Sequence, residues 1–535
     1  MNSHFKYKSM KQFLLYFAFL IGTTSTFGQS TFQTSYGDSE IDLGNSITAT
    51  TTNGFCVVST NRTSTGADNA DIVLYNIDID GSLLWSAKIG NDKNDFPTDI
   101  IQTPDGGYAI TGYTYGGLID SLTTDLFLLK TDDQGFPTFF QTFGGSNNDE
   151  GTKVLNSADG GFYIVGSTQS FGSGLQSALI IRTDGNGNQI WSSVNSAVDF
   201  TSYNTACFNS QGQIIAAGVA HNLITNNYDN YVSLIDTMGN LIWSKKTGSA
   251  SYENLNQIAL LSDGSFVCAG SSSNASEGDL DFNVFKMDSS GTIIWNKNYG
   301  TALYDEARSI AVCTNGDFLI NGATNILNST TPLYQTTVAR LNSIGDLLWS
   351  NTYGDPSSSS EGASVIEGSN NSVISIGYIT TISDINGETH FIKTDVNGTS
   401  GCYQQPIVLQ TNANSFTDST GADEQSIFMT DFMLNPNWFS FSNQFSLYCF
   451  NSAVDQISSQ VSPLVFPNPG TGKFRIEIGN YGQHSIDIFN SIGQKVIHTS
   501  FGEDFVNVDM SNYLPGIYYF KVENSKSGKI ILTGK

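Results

Sequence analysis

Carboxylic acids recur at a regular interval along much of the chain, and they are the first candidates for chemistry. Pairs of carboxyl groups catalyse the hydrolysis of glycosidic bonds, and groups of them bind divalent cations. Solvated acids in a repeated turn explain the same spacing, so no residue is predicted to be catalytic. A secreted hydrolase or lyase that degrades polysaccharide with such carboxylates stays open as the alternative function. The acids precede predicted first strands of a repeat at Glu40, Glu150, Glu253, Glu306 and Glu361.

Aromatic side chains and one histidine fall in the longer predicted loops, where they could form a stacking surface for a ligand. These loops connect the second and third strands of each repeat and differ freely in length, whereas the turns on the opposite face barely vary. Binding residues concentrate in loops held by a rigid scaffold. We expect this face to bind a glycan, a protein or a surface, with the histidine as an ordinary loop residue. The candidate ligand-binding residues are Tyr115, Phe171, His221, Tyr228 and Tyr334.

Motifs for metals, cofactors and nucleic acids are missing from the sequence. The only histidines within the repeats are His221 and His390, too few for a three-histidine metal site, and HExxH, CxxC and GxSxG do not occur. Gly470-Thr471-Gly472-Lys473 resembles a phosphate-binding loop, but Phe474 stands where that loop needs Ser or Thr. The net charge of -26, from 49 acidic and 23 basic residues, would repel a nucleic acid backbone. We therefore predict no metal, no cofactor and no nucleic acid partner.

The phrase Asp-x-x-Gly-x-x-x-Trp recurs and indicates the fold. Its aromatic position returns every 52 to 54 residues, which for β-type sequence is typical of a propeller of four-stranded blades. We expect the aromatic residue to pack against the neighbouring blade, because a single blade cannot bury both faces. The phrase resembles the tryptophan-docking repeat of quinoprotein propellers, in which the Asp-to-Gly step is one residue longer. The positions are Phe32, Trp85, Phe139, Trp191, Trp243, Trp295 and Trp349, and Cys402 falls at the eighth.

Turn residues divide each repeat into four strands. Pairs such as Asp263-Gly264 predict the hairpin between the first and second strands, and an Asp with Gly three residues later predicts the hairpin between the third and fourth. The final repeat loses the pattern after three strands, and the chain begins with an unmatched fourth strand at Thr31–Tyr36. We therefore predict an all-β fold in which residues 29–402 form a seven-bladed β-propeller, with the N-terminal strand (31–36) completing the last blade.

The N-terminus has the features of a cleaved signal peptide, residues 1–28. Lys6, Lys8 and Lys11 precede an apolar stretch that is too short to cross a bilayer, and small residues follow it. The rest of the sequence is not apolar enough to contain a transmembrane helix. We expect the mature protein to leave the cytoplasm.

Six cysteines in an exported chain raise the question of disulfides. Four of them lie singly in strand-like runs and are expected to be buried thiols. Cys402 and Cys449 bracket a segment outside the repeats and are the better candidate pair. Such a bond would close a loop of about 47 residues and contribute roughly 4 kcal/mol in the chain-entropy model.

The chain beyond the repeats divides into three pieces. Residues 403–450 lack the repeat but contain apolar stretches, so we expect an ordered segment packed against the seventh blade. Residues 451–462 have the composition of a polar linker. Residues 463–535 contain seven short predicted strands, which favours a small immunoglobulin-like β-sandwich.

Residues 463–535 resemble the type A C-terminal sorting domain of the type IX secretion system of Bacteroidetes. The resemblance implies passage of the inner membrane by the signal peptide and recognition of the folded tail by the outer-membrane translocon. It also implies a location outside the cell or on its outer surface, so the protein is expected to be an exported binding or adhesion module. The motifs are Phe466-Pro467-Asn468-Pro469 with Gly472, Ile488-Phe489-Asn490 with Gly493, Leu514-Pro515-Gly516-Ile517-Tyr518, and Lys529-Ile530-Ile531 with the terminal Lys535.

Overall fold

A computed structural model gives the structure of most of the chain, which forms two compact units, residues 1–451 and 452–535. The predicted signal peptide (1–28) and residues 452–462 of the predicted linker lie outside the described residues. Within the described residues, none of the helices is long and apolar enough to cross a membrane. The described residues are 31–63, 70–91, 93–116, 123–172, 175–196, 200–249, 252–273, 280–326, 333–380, 387–414, 416–420, 423–427, 430–434, 437–440, 444–451, 464–466, 468, 470–477, 484–490, 494–503, 505–522 and 526–533.

The first unit is built from antiparallel strands and one 3-10 turn (Ser369–Asn371) among its described residues. In chain order the first twenty-eight strands are β1 (Thr31–Gly37), β2 (Ile41–Ala49), β3 (Phe55–Arg62), β4 (Ala70–Ile77), β5 (Leu83–Gly90), β6 (Asp95–Gln102), β7 (Tyr108–Tyr115), β8 (Thr124–Thr131), β9 (Pro137–Gly144), β10 (Asp149–Asn156), β11 (Phe162–Thr168), β12 (Ser177–Thr183), β13 (Gln189–Ser196), β14 (Phe200–Phe208), β15 (Ile214–Asn222), β16 (Asn227–Ile235), β17 (Leu241–Gly248), β18 (Glu253–Leu260), β19 (Phe266–Ser273), β20 (Leu280–Met287), β21 (Ile293–Gly300), β22 (Asp305–Val312), β23 (Phe318–Asn325), β24 (Tyr334–Leu341), β25 (Leu347–Tyr353), β26 (Ser359–Glu367), β27 (Val373–Thr380) and β28 (Glu388–Thr394).

These strands form seven sheets; six contain four consecutive strands, and the seventh combines three consecutive strands with β1. They are sheet 1 (β2 to β5), sheet 2 (β6 to β9), sheet 3 (β10 to β13), sheet 4 (β14 to β17), sheet 5 (β18 to β21), sheet 6 (β22 to β25) and sheet 7 (β26, β27, β28 and β1). The middle strands are buried along nearly their whole length, and β4 and β8 are buried at every position. Since both faces of these strands are covered, each sheet depends on its neighbours for burial.

Sheet 7 joins the two ends of the repeat region. The sequence predicted that Thr31–Tyr36 lies beside His390–Thr394, and in the structure β1 pairs with β28, with Phe32 opposite Lys393. The Gln33 amide donates hydrogen bonds to Ser400 Oγ (2.9 Å) and to the Cys402 carbonyl (2.6 Å). The N-terminal strand is therefore held by residues that follow the last repeat.

A fifth strand on every sheet comes from residues 404–451, which we call the edge segment. These strands pair with the fourth strands of sheets 6, 5, 4, 3, 2 and 1 in that order, and the last pairs with β1 of sheet 7. The sequence predicted that this region packs against the seventh blade; its last strand does pair with sheet 7, and the other six strands pair with the other six sheets. They are β29 (Gln404–Pro406), β30 (Gln410–Ala413), β31 (Thr417–Thr420), β32 (Asp423–Ile427), β33 (Thr430–Leu434), β34 (Asn437–Ser440) and β35 (Gln444–Asn451).

The repeated aromatic residue of each sheet lies against a glycine turn of the next sheet. At Gly291, where φ is +77°, a β-carbon would lie 2.8 Å from the Trp243 ring. Sheet 7 contacts sheet 1 in the same way, through Phe32 and Gly81. The Gly in the repeated phrase thus meets two needs, a positive φ and close contact with an aromatic ring. The other pairs are Trp85 with Gly135, Phe139 with Gly187, Trp191 with Gly239, Trp295 with Gly345 and Trp349 with Gly398.

The first strands of the seven sheets contact one another in a closed series. β2, β6, β10, β14, β18, β22 and β26 each contact the next, and β26 contacts β2. Each carries a β-bulge, and several bulged side chains bond to the next sheet. Thr98 and Thr152 Oγ1 donate to the carbonyls of Gly151 and Tyr203, both at 2.8 Å, and Asn256 Nδ2 donates to that of Ala307 at 2.7 Å. The bulges therefore link neighbouring sheets through their innermost strands.

The second unit consists of two small sheets around one core. A three-stranded sheet (β36, β37, β40) and a four-stranded sheet (β39, β38, β41, β42) share a buried cluster that includes Phe474, Ile488, Val508 and Phe520. The strands are β36 (Leu464–Phe466), β37 (Lys473–Glu477), β38 (His484–Phe489), β39 (Lys495–Phe501), β40 (Phe505–Asp509), β41 (Gly516–Val522) and β42 (Lys526–Leu532).

Replacing Gly291 with alanine tests the contact between sheets. The new methyl group must displace the Trp243 ring as well as occupy a positive φ, so we expect the free energy of unfolding to fall by about 2 to 4 kcal/mol. Gly316→Ala is the matched control, because Gly316 has a φ of +86° but no atom within 4 Å of its β-carbon position. Its expected loss is about 1 kcal/mol. Equal losses in chemical denaturation would contradict a role for the ring contact.

The disulfide of Cys402 gives a second test. Cys402 is disulfide-bonded, whereas Cys56, Cys207, Cys268 and Cys313 are free. Cys449 is opposite Gln33 in the backbone register, but its side chain lies outside the described residues, so its pairing with Cys402 stays a prediction. We expect Cys402→Ser, Cys449→Ser and the double variant to lose the same stability, about 2 to 4 kcal/mol, in thermal or chemical unfolding. Additive losses would contradict the pairing.

Candidate functional site

The loop between β15 and β16 forms one side of the candidate site, and the structure describes it completely. The Asn222 side-chain oxygen accepts hydrogen bonds from the backbone amides of Ile224 (2.9 Å) and Thr225 (3.1 Å). Asn226 has a positive φ of 53°, which Asn tolerates better than most residues. The loop therefore reverses the chain within a few residues, and His221 and Tyr228 lie opposite each other.

Four rings gather at this end of sheet 4. The rings of His221 and Tyr228 stack with centroids 3.8 Å apart and planes 4° from parallel. Phe200 at the start of β14 lies 6.0 Å from His221, and Tyr252, just before β18, lies 5.0 Å from Tyr228. The His221 Nε2 atom is 3.1 Å from Asn226 Oδ1, which fixes the imidazole. The cluster thus crosses from sheet 4 to sheet 5.

A cavity of about 390 Å³ lies beside these rings. Its polar groups are the hydroxyls of Ser202 and Tyr228, the Gln176 amide, the His221 imidazole and the Thr201 hydroxyl, which donates to the Asn195 carbonyl. The lining residues include no Asp, Glu, Lys or Arg. Leu223 and Ile224 are exposed by 48% and 93%, so they add an apolar rim. Rings, hydroxyls and an amide suit a neutral ligand with both apolar and hydroxyl surface. The lining residues are Gln176, Phe200, Thr201, Ser202, Val219, His221, Leu223 and Tyr228.

Only two of the five predicted ligand-binding residues line this cavity, His221 and Tyr228. Tyr115 lies elsewhere, edge-on to Phe96 at 6.1 Å. Phe171 is partly buried against the core that sheet 3 shares with sheet 2. Tyr334 packs edge-on against Tyr304 at 5.8 Å. The other loops between second and third strands include residues that lie outside the described ranges.

Sequence reasoning missed Phe200 and Tyr252. Both stand at or just before a first strand, where the chain enters a new sheet on the same face as the longer loops. The signal was present, since an aromatic residue also occurs at the corresponding place in sheet 6, as Tyr304. The predicted residues all lie at or between second and third strands, whereas Phe200 and Tyr252 lie at the entry to first strands.

The recurrent acids occupy two different positions in the sheets. Glu253 belongs to a buried set in which each carboxylate accepts a hydrogen bond from the backbone amide four residues earlier, for example Asn91 to Asp95 at 3.2 Å and Gly145 to Asp149 at 2.9 Å. These acids satisfy the turn that leads into a first strand, and Asp42, Asp95, Asp149 and Asp305 share the place of Glu253.

The other acids lie one residue further along the first strands. Glu306 and Glu361 both accept hydrogen bonds from the guanidinium of Arg308, Glu306 at 2.9 Å. Glu150 occupies the equivalent position of sheet 3, and burial raises its pKa. Glu40 precedes β2 and lies outside this pattern. The five acids of the sequence pattern therefore do not form one ring.

A second cavity, of about 360 Å³, lies among the first strands of all seven sheets. Half of its lining residues are Asn, Ser, Thr or Gln, and the lining also includes Arg308 and the ion pair between Lys153 Nζ and Asp99 Oδ1 at 2.9 Å. Ser46 Oγ donates to the same carboxylate at 2.9 Å. Within the described part of the chain, His, Cys, Asp and Glu nowhere form a group of three or more that could hold a metal ion.

Comparison with known proteins identifies the second unit. Residues 464–533 match the family model of the secretion system C-terminal sorting domain. The chain carries a type IX secretion sorting domain. Its Asn468 explains part of the motif, because the side chain donates to the Lys529 carbonyl (2.9 Å) and accepts from the Ile531 amide (2.7 Å), which ties the motif to the final strand. Of the other predicted sorting residues, Gly516 begins β41, and Pro467, Pro469, Gly493 and Lys535 lie outside the described residues.

The sorting domain implies a secreted protein that interacts with the type IX secretion machinery and reaches the cell surface or the extracellular space. No curated protein matches this sequence.

Structural similarities are distant. A protein of unknown function from Dyadobacter fermentans is 9% identical, with a TM-score of 0.40, over 68% of this chain and 97% of its own. A fungal alcohol oxidase of the AA5 family, in complex with copper, is 12% identical, with a TM-score of 0.41, over 95% and 100%. PorZ of the type IX secretion system of Porphyromonas gingivalis is 10% identical, with a TM-score of 0.21, over 92% and 81%.

The buried acids predict that stability falls as the pH rises. Burial raises the pKa of Asp42, Asp95 and Glu253 to about 7, above the values near 4 of an unfolded chain. Folding therefore favours the protonated forms, and this contribution is complete below about pH 4 and lost as the pH rises through 7. Between pH 5 and 8 we expect the free energy of unfolding to fall by about 2 to 3 kcal/mol for each group.

Thermal unfolding across this pH range measures the effect. Asp95→Asn removes one titrating group while keeping a hydrogen-bond acceptor, so the decline with pH should be shallower. Asp133→Asn, in an exposed turn, should leave the slope unchanged. An Asp95→Asn variant with the slope of the unmodified protein would contradict this account.

Proposed function

We propose that this protein is an exported, non-enzymatic protein that binds neutral carbohydrate in the aromatic cavity at the end of sheet 4. Residues 1–28 are its signal peptide, and residues 29–402 are its binding domain. Residues 403–450 are a segment associated with that domain, residues 451–462 are a linker, and residues 463–535 are the sorting domain. The signal peptide carries the chain to the periplasm, and the outer-membrane translocon recognises the folded tail.

In this proposal the seven sheets are the blades of a seven-bladed β-propeller, and the second unit is an immunoglobulin-like sandwich. The closed series of contacts among first strands supports the ring, as do the pairing of β1 with β28 and the contact of Phe32 with Gly81. The seven strands of the second unit, arranged in sheets of three and four around one core, support the sandwich.

The residues that line the cavity are the main support for a neutral carbohydrate as the ligand. Aromatic rings offer flat apolar surfaces, and the Ser202 hydroxyl and the Gln176 amide offer hydrogen bonds, with no Asp, Glu, Lys or Arg in the lining. Sugars have both kinds of surface, with C–H groups on their ring faces and hydroxyls at their edges. The net charge of -26 also disfavours anionic polymers, because they would be repelled at long range.

A polysaccharide hydrolase or lyase is the less favoured function. A glycosidase needs two carboxyl groups that flank the scissile bond. The aromatic cavity has none in its lining, and Glu306 and Glu361 on the first strands of sheets 6 and 7 are both engaged by Arg308. A protein ligand would be expected to meet more charged groups at the rim than this cavity offers.

A glycan array followed by calorimetry tests the proposal. We expect the purified protein to bind one or more neutral glycans, and Tyr228→Ala to weaken the binding by at least about tenfold, or about 1.4 kcal/mol, because half of the central ring stack is lost. Tyr115→Ala removes an exposed ring outside the cavity and should bind normally.

Incubation with the polysaccharides that bind distinguishes the two functions. Retention of intact polymer supports a binding protein. Release of soluble sugars would favour the hydrolase, and the absence of binding to any neutral glycan would contradict the proposal.

A further inference from the structure

Aromatic residues continue beyond the cavity along the starts of the neighbouring sheets. Tyr252 stands just before β18, Tyr304 just before β22, and Tyr334 begins β24. Tyr378 lies near the end of β27, where Glu361 of β26 is its register partner. Together with Tyr228 these tyrosines, which we call the tyrosine track, extend from sheet 4 to sheet 7.

Ring contacts join four members of the tyrosine track into two pairs. The rings of Tyr228 and Tyr252 lie 5.0 Å apart, and those of Tyr304 and Tyr334 lie 5.8 Å apart. Tyr252 and Tyr304 hold equivalent places just before β18 and β22, and these first strands contact each other. Tyr378 lies opposite Glu361 of β26, which contacts β22. The track therefore runs over four successive sheets as two ring pairs and a fifth tyrosine.

The rings are anchored but not buried. All five tyrosines are of intermediate exposure, so each presents part of its ring to solvent. The backbone amides of Tyr252 and Tyr334 donate to Ser273 Oγ (2.9 Å) and Ser359 Oγ (3.3 Å), which fixes the chain at the base of each ring. A half-exposed aromatic ring on a fixed backbone is suited to repeated stacking, because little conformational freedom is lost when a ligand binds.

Polar groups accompany the track on the first strands. Arg308, with 32% of its side chain exposed, lies between Glu306 and Glu361, which are exposed by 21% and 16%. Glu306 follows Tyr304 by two residues at the start of β22, and Glu361 lies opposite Tyr378, so this group lies beside the track. One guanidinium faces two carboxylates, so the group keeps an excess of one negative charge together with donors and acceptors for hydroxyl groups.

We propose that the tyrosine track extends the binding site, so that the ligand is a linear neutral polysaccharide held over several consecutive sugar units. This inference rests on the proposed function, since it assigns the length and class of the carbohydrate that the cavity binds. The cavity beside His221 and Tyr228 holds one end of the bound segment. Tyr252, Tyr304, Tyr334 and Tyr378 stack against the units that follow, and the Glu306, Arg308 and Glu361 group bonds to their hydroxyls.

The test compares oligosaccharides of increasing length. The purified full chain is titrated by calorimetry with disaccharides, tetrasaccharides and hexasaccharides of cellulose, xylan, laminarin, mannan and starch. We expect at least one series to bind, with an affinity that rises at least about tenfold from disaccharide to hexasaccharide as more rings of the track are used.

Variants separate the track from the cavity. Tyr304→Ala should abolish most of the gain from disaccharide to hexasaccharide while disaccharide binding stays unchanged, because Tyr304 does not line the cavity. Tyr113→Ala is the matched control, a half-buried tyrosine of sheet 2 that stacks on Phe96 outside the track, and it should retain the full gain. Thermal unfolding of both variants checks that the fold is kept.

Each result decides between the two claims. A hexasaccharide that binds no better than its disaccharide would overturn the tyrosine track and leave the proposed function in place. The same conclusion follows if Tyr304→Ala weakens binding of all lengths equally or of none. If no oligosaccharide series binds, or if the cavity binds only a protein ligand, both the tyrosine track and the proposed function are overturned.

Discussion

The contact between an aromatic ring and a glycine turn of the next sheet is the interaction on which the rest of the first unit depends. A four-stranded sheet with buried residues on both faces has no stable existence alone, because each face must be covered by another sheet. The ring of Trp243 covers the turn at Gly291 so closely that only a residue without a β-carbon fits. The same contact joins sheet 7 to sheet 1, so every sheet has a neighbouring sheet on both sides.

The edge segment solves a second problem that the same architecture creates. The fourth strand of each sheet has backbone donors and acceptors that would otherwise be open to pairing with another chain. Seven short strands from residues 404–451 pair with these edges, and the last lies against β1. Gln33 and the disulfide of Cys402 hold the region where this segment begins, so the N-terminal strand and the edge segment support each other.

The candidate site follows from this rigid base. First strands enter each sheet beside the loops that join second and third strands, so side chains from separate parts of the sequence meet at one face. Phe200, His221 and Tyr228 come together within sheet 4, and Tyr252 joins them from sheet 5. The acids in the same strands serve mainly the turns and Arg308, which is why the face offers rings and hydroxyls for binding more readily than free carboxylates for catalysis.

The repeat, the strand-forming segments and the sorting domain could be predicted from the amino-acid sequence, because turns and packing residues recur with fixed spacing and are local signals. Asp and Gly in the hairpins, the ring four residues after each glycine, and Pro467-Asn468-Pro469 are all recognisable without coordinates. The pairing of residues 404–451 is seen only in three dimensions, since a strand added to an edge is held by backbone hydrogen bonds and needs no side-chain pattern. It also decided which rings share a site. Tyr115 and Phe171 looked equivalent to Tyr228 in the sequence, yet the neighbouring sheet supplies a partner ring only to Tyr228 among these three, because that contact depends on Tyr252, which enters from a different repeat.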